Sequence, residues 1–214
     1  MPERWLIIDT DAGVDDAVAL TMAIKLGAEF NSVVKMISTS HGNCSENQVL
    51  QNVSKCLHST GAGDIKVVRG ASKPLVCDSI DASYFHGMDG FGDVSEEVLA
   101  YPHGYQESIN ISNEDVPSAI IKLCVEAKAS PTLVEVCMIT LGPLTNLAMT
   151  FEAIENDASI SHTSHELLSE VYIMGGSSNG RGNVTRTAEF NLYADPEAAE
   201  LTFQTFNKKW PNNK

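Results

Sequence analysis

Basic residues are scarce in this chain of 214 residues: 14 Lys and Arg stand against 28 Asp and Glu, a formal net charge of -14. That balance argues against nucleic acid or an anionic membrane as a partner, because a phosphate surface has to be met by Lys and Arg. Long apolar runs are missing too, and no stretch has the length to cross a bilayer. Met1-Pro2-Glu3-Arg4 leads straight into an apolar strand signal, so no signal peptide is expected. Cysteine is sparse and unpatterned. Cys44, Cys56, Cys77, Cys124 and Cys137 make an odd number with no CxxC spacing. This excludes a disulfide frame or a zinc site and points to reduced thiols in a cytoplasmic setting. Without an export signal, the Asn-x-Ser/Thr triplets at Asn43, Asn52, Asn110 and Asn183 carry no glycosylation argument. Internal repeats and low-complexity stretches are absent. What is present, 43% hydrophobic residues in a chain of this length, supports the core of one good-sized α/β domain.

Strand-like and helix-like segments alternate along the chain. Trp5–Ile8, Val33–Ile37, Ile65–Val68, Val134–Ile139 and Glu170–Met174 read as strands. Helices are expected at 17–24, at 45–58 with Val49, Val53, Cys56 and Leu57 at helical spacing, and from Ser112–Asp115 through Val125. Two more should begin at Pro143 and at Asp195-Pro196-Glu197, the latter running to about residue 206 with Asp as cap and Pro in the first turn. Residues 71–113 lack periodicity and read as a long binding loop with one helical turn. The expected architecture is a doubly wound, mostly parallel open α/β sheet with helices on both faces. It forms a single domain over 1–206, with a loose tail over 207–214.

The feature with the most chemistry is Asp9-Thr10-Asp11-Ala12-Gly13-Val14-Asp15-Asp16, four aspartates where the first strand ends and the first helix begins. In an open parallel sheet that edge is where ligands bind. Carboxylates this close repel one another, and a hard cation with oxygen ligands is the usual relief. Acidic N-capping of the helix accounts for Asp15 and Asp16 but not for Asp9 and Asp11 as well. Further polar clusters follow later strands: His41-Gly42-Asn43, Leu141-Gly142-Pro143-Leu144-Thr145-Asn146, and Gly175-Gly176 followed by Asn183, Glu189 and Asn191. All would gather at the same edge. Asn and Glu there suit a polyhydroxylated ligand, whose hydroxyls need donors and acceptors.

These blocks, with His86-Gly87-Met88-Asp89-Gly90-Phe91-Gly92, Met174-Gly175-Gly176, Ala188-Glu189-Phe190-Asn191 and Asp195-Pro196-Glu197-Ala198-Ala199, resemble the inosine-uridine preferring nucleoside hydrolases in order and approximate spacing. The resemblance implies cleavage of the N-glycosidic bond of purine or pyrimidine ribonucleosides to ribose and free base, with calcium as cofactor. It matches Asp11, Asp15 and Asp16, and the backbone carbonyl of Leu141, to the metal's ligands. Asp11 matches the general base, and Asn43, Asn183, Glu189 and Asn191, with Asp15 and Met174, the sugar-binding set. His86 matches a histidine near the base; a role in stabilising its Gly-rich loop is the other reading. Related enzymes are commonly dimers or tetramers, so a homo-oligomer is open. The small-molecule ribonucleoside is the expected partner.

The resemblance also implies a C-terminally truncated member. The family pattern is left soon after Ala199, so a further calcium-binding aspartate and a histidine acting on the leaving base have no counterpart. His162 and His165 fall in a polar stretch in the wrong place for that role. Two alternatives accompany this reading. One is a catalytically impaired chain acting as a binding or regulatory subunit. The other is a haloacid dehalogenase-type phosphatase with Asp9 as nucleophile, which leaves Asp15-Asp16 and Glu189-Phe190-Asn191 unexplained.

Overall fold

The computed structural model describes residues 2–94, 109–157, 160 and 164–209. Six strands form one sheet: β1 (Glu3–Thr10), β2 (Ser32–Thr39), β3 (Lys66–Val68), β4 (Asn110–Ser112), β5 (Val134–Thr140) and β6 (Glu170–Ile173). Every pairing is parallel and the order is β4-β3-β2-β1-β5-β6. The chain therefore builds outward from β1 through β2, β3 and β4, then crosses back to lay β5 and β6 on the other side. That reversal beside β1 is a topological switch point, and the loops leaving the carboxyl ends of β1 and β5 diverge there to open a crevice.

Both faces of the sheet are covered. On one, Ile7, Met36, Val68 and Met138 pack under α4 (Val116–Lys128), α5 (Thr145–Asn156), α6 (Ser164–Leu167) and α8 (Pro196–Lys209), with Phe151 fully buried against the edge of Phe206 at 5.6 Å. On the other, Ile8, Val34, Ile37 and Val67 pack under α1 (Val14–Leu26) and α2 (Glu46–Thr60) through Leu20, Val49, Val53 and Leu57. Val34 and Met36 lie on opposite faces although two residues apart, because the register of β2 against β1 slips between Leu6 and Ile7 and leaves Lys35 as the extra residue of a bulge. Helix α1 carries apolar residues on two sides: Leu20 faces the core, while Val14, Val18, Met22 and Leu26, four residues apart in turn, form an exposed row. Among the described residues no helix is long and apolar enough to cross a membrane.

The doubly wound parallel sheet agrees with the sequence, and the departures have local causes. Strand β4 falls inside the stretch read as loop, whose one expected helical turn is α3 (Ser83–His86); residues 95–108 of it lie outside the described residues. Pro143 does not open the helix after β5, which begins at Thr145. Helix α8 continues three residues past the expected end, so 207–209 are helical, while 210–214 and His162 lie outside the described residues. Two short helices, α6 and α7 (Phe190–Ala194), have no periodic signal to announce them.

The outer edge is clamped by charge. Glu114, just after β4, takes Lys66 of β3 on one carboxylate oxygen and Lys122 of α4 on the other at 3.0 Å. The two ammonium groups hold the Glu114 carboxyl at about 2, below its ordinary 4.5. A depressed carboxyl stabilises the fold above its unfolded value and loses that contribution as pH falls through the folded one. A carboxyl-detected NMR titration should place Glu114 near 2, and Lys66→Met with Lys122→Met should return it towards 4.5. A wild-type midpoint near the ordinary value would show that solvent screens the clamp.

Candidate active site

Asp9 and Asp11 leave the end of β1 in different directions and meet different surroundings. Asp9 is wholly buried; its Oδ1 accepts from Ser38 Oγ at 2.5 Å and Asn146 Nδ2 at 2.8 Å, while Oδ2 has no partner among the described residues. Burial lifts its pKa to about 7 against the pull of those two hydrogen bonds. Asp9 thus ties β1 to β2 and α5. It is absent from the cleft wall and none of its hydrogen-bond partners belongs to that wall, so nothing there supports the phosphatase reading's nucleophile.

Asp11 lies just beyond the strand, 1% exposed, where the backbone N–H of Asn43 donates to Oδ2 at 2.9 Å. Its Oδ1 is buried without a partner among the described residues. Burial first, and then the charge of Asp16, push its pKa well above the ordinary carboxylate value. Two glycines make room for it. A Cβ on Gly42 would come within 2.1 Å of Asp11 Oδ2, and one on Gly142 within 2.9 Å of Asp11 Cγ. Gly42 also has φ +149°, a conformation side chains rarely adopt.

Asp16 closes the start of α1. Its Oδ1 accepts from Thr10 Oγ1 at 2.6 Å, and its Oδ2 accepts from the Gly13 N–H at 3.0 Å and Asn43 Nδ2 at 3.3 Å. Through the Gly13 N–H, Asp16 caps α1 from its first turn, the acidic capping read from the sequence as the bland role of the pair; Gly13 has no side chain to reciprocate. Burial raises Asp16 to about 6, opposed by the Thr10 hydrogen bond. Asp15 is exposed at the cleft's rim, and its charge raises both Asp11 and Asp16. Ala12 sits at φ +44° between these groups, held by its N–H on Thr10 Oγ1 and its carbonyl on Asn52 Nδ2.

Above Asp11 opens a cleft of about 350 Å³ lined by Asp15, Asn43, Ala82, Tyr84, Phe85, His86, Leu141, Met174, Asn183, Glu189, Phe190 and Asn191. That volume suits a small organic ligand. Eight of the residues singled out from the sequence meet in this wall; Asp11 and Asp16 lie beneath it. Asn191 is carried by the short helix α7, which Glu189 starts by accepting the Asn191 N–H. The Asn191 side-chain nitrogen donates to the carbonyls of Leu141 at 2.8 Å and Met174 at 3.0 Å, binding the β5 and β6 loops together and leaving its Oδ1 to meet a ligand. Glu189 Oε2 accepts the Gly176 N–H at 2.9 Å. His86 is packed on Gly13: a Cβ there would fall 2.9 Å from its Cε1 and 2.6 Å from Asn43 Nδ2. Tyr84 and Phe85, 75% and 78% exposed, present aromatic surface at the mouth. Sequence reasoning missed both; an aromatic pair directly before His86 in a stretch without core periodicity was the available signal.

Among the described residues there is no group of three or more His, Cys, Asp or Glu arranged to hold a metal. The donors nevertheless fit a hard cation in kind: the unpartnered Asp11 Oδ1, the Asp15 carboxylate and the Leu141 carbonyl are all oxygens around a buried negative charge. Asp16 already spends both oxygens on hydrogen bonds.

The sequence model of the family described as inosine-uridine preferring nucleoside hydrolase matches residues 6–212. The chain is 34% identical over 201 residues to a pyrimidine-specific ribonucleoside hydrolase, RihA, of Citrobacter koseri, covering 94% of this chain and 56% of that protein. Among solved structures, an inosine-guanosine nucleoside hydrolase superposes with a TM-score of 0.76 at 32% identity, over 95% of this chain and 59% of the other. A purine-preferring ribonucleoside hydrolase from Gardnerella vaginalis does so with a TM-score of 0.75 at 26% identity, over 94% and 58%. The chain thus spans little more than half the length of the relatives it matches.

The glycine cradle of Asp11 gives a stability test. Gly42→Ala combines backbone strain with a clash and should lower the unfolding free energy by about 2–5 kcal/mol. Gly61→Ala, at φ +67° with open space around its Cβ position, should cost only about 1–2 kcal/mol. Equal losses in urea unfolding would show that Asp11 does not press on Gly42.

Proposed function

The chain belongs to the inosine-uridine preferring nucleoside hydrolase family, and we propose that it hydrolyses the N-glycosidic bond of ribonucleosides to ribose and free base, with Asp11 as general base. The observation that carries this reading is the buried Asp11 carboxylate with one unpartnered oxygen beneath a cleft walled by Asn43, Glu189 and Asn191.

The chemistry suits such a site. N-glycoside cleavage develops positive charge on the sugar, and a carboxylate floor with no Lys or Arg paired to it among the described residues stabilises that charge. Asn183, Glu189 and Asn191, with Asp15 and Asn43, present acceptors and amide donors for ribose hydroxyls. Met174 supplies apolar surface beside the sugar. Asp11 Oδ1 would take the proton of the attacking water. Direct attack gives inversion and no covalent intermediate. His86, Tyr84 and Phe85 offer a polar edge and ring faces to the leaving base. Calcium, held by Asp11, Asp15 and the Leu141 carbonyl with Asp16 behind them, would supply acidification of the water and a template for the 2′ and 3′ hydroxyls. The five cysteines are all free thiols, which suits the cytoplasm. The names of the relatives divide between pyrimidine and purine substrates, so both kinds belong in the assay. A binding or regulatory subunit is the second reading, favoured by the exposed apolar row on α1.

Ribose release from inosine and uridine, with calcium and with a chelator, tests the proposal. Release should depend on calcium, and Asp11→Ala should lower kcat by about 10²–10⁴-fold. Hydrolysis unchanged by Asp11→Ala would overturn the mechanism. A folded wild-type protein that binds nucleoside without turnover would establish the second reading instead.

A further inference from the structure

Behind the cleft, three buried side chains from three separate loops join in a line. His41 Nε2 lies 2.8 Å from Thr145 Oγ1, and Thr145 Oγ1 donates to Asp195 Oδ2 at 2.7 Å. Their exposures are 3%, 1% and 0%. A hydroxyl has a single proton, and Thr145 gives its own to Asp195. The ring must therefore donate into Thr145 Oγ1 through an Nε2–H. His41 Nδ1 is buried with no partner among the described residues, so a cationic ring would bury an unmatched N–H there as well as a charge. Burial accordingly lowers the His41 pKa, against the raising effect of Asp195. The far end of the line is anchored: the Leu75 N–H donates to Asp195 Oδ2 at 2.9 Å and the Ala198 N–H to Oδ1 at 3.0 Å.

None of the three lines the cleft, and the proposed reaction uses none of them. Each, however, shares a loop with a residue that does. His41 is two residues before Asn43, Thr145 four after Leu141, and Asp195 four after Asn191. Those three partners are the ones that touch the centre of the site: the Asn43 N–H holds Asp11, and Asn191 holds the Leu141 carbonyl. We infer that His41, Thr145 and Asp195 form a positioning network that locks the β2, β5 and α7 loops in register from behind and so fixes Asn43, Leu141 and Asn191 around Asp11. Its catalytic consequence rests on the hydrolase reading; its geometric consequence does not.

The test has two arms that fail separately. Nitrogen NMR of the wild-type imidazoles should show His41 as the neutral Nε2–H tautomer; an Nδ1–H tautomer overturns the network without any variant being made. Thr145→Val, nearly isosteric, removes both hydrogen bonds and should shift the Asn43 backbone amide and the Asn191 side-chain amide. It should also lower kcat/KM for inosine or uridine by about 10- to 100-fold, the penalty of misplaced groups, with Thr145→Ser restoring most of both. A purely structural role would lower Tm while leaving those two resonances and kcat/KM at wild-type values, and that result overturns the inference. If the wild-type protein hydrolyses nothing, the hydrolase reading fails, and the resonance arm alone decides the network.

Discussion

A carboxylate buried without a cation is the constraint on which the rest of this site depends. Among the described residues, no Lys, Arg or His pairs with Asp9, Asp11 or Asp16, although all three are almost wholly withdrawn from solvent. Burying such groups is unfavourable unless hydrogen bonds replace the lost water. The structure meets that requirement with neutral donors: Ser38 and Asn146 on Asp9, Thr10, Gly13 and Asn43 on Asp16, and the Asn43 N–H on Asp11. Only Asp11 and Asp9 keep an oxygen unmatched.

Those donors explain the loops around the site. Asn43 serves two carboxylates at once, so the chain after β2 must turn back over α1; Gly42 permits the turn and gives Asp11 its space. Asn146, at the start of α5, reaches both Asp9 and the Thr39 carbonyl, which fixes β5's following helix across the ends of β1 and β2. On the other side of the crevice Asn191 plays the same part, bridging Leu141 and Met174. Amide side chains do this work because each offers two N–H groups and adds no charge to an acidic site.

What was legible in the sequence follows the range of the forces involved. Strands β1, β2 and β5 are mostly apolar, broken only by Lys35 in β2 and Glu135 in β5 within their runs, since both faces of a parallel sheet are covered, and their reading required no tertiary knowledge. The aspartate cluster was legible for a like reason: its four members lie within eight residues. Strand β4 was not. Asn110–Ser112 is a half-polar triplet at the sheet edge that becomes a strand only because β3 lies alongside. Helix α7 depends on the Glu189 cap, and the bulge at Lys35 on matching β1; neither has a local pattern. The line from His41 to Thr145 to Asp195 joins residues 104 and 50 positions apart, a separation at which single-sequence patterns carry no information.

Asp9 and Asp11 show how position separates roles that residue type leaves alike. Asp9 is still in β1, where the pleat directs it to the same face as Ile7, beneath α5, and its nearer partners are the hydroxyl and amide of adjoining elements. Asp11 is past the last ladder position, freed from that alternation by the left-handed turn at Ala12 and flanked by two residues without side chains. A carboxylate enclosed by a helix can only hold the fold together. Asp9 and Asp11 both keep one unmatched oxygen, but only Asp11, enclosed by glycines, is bonded to a residue of the cleft wall, Asn43. The two glycines, as much as the aspartate, therefore distinguish the position proposed as general base from the structural one, because they decide what can approach the carboxylate.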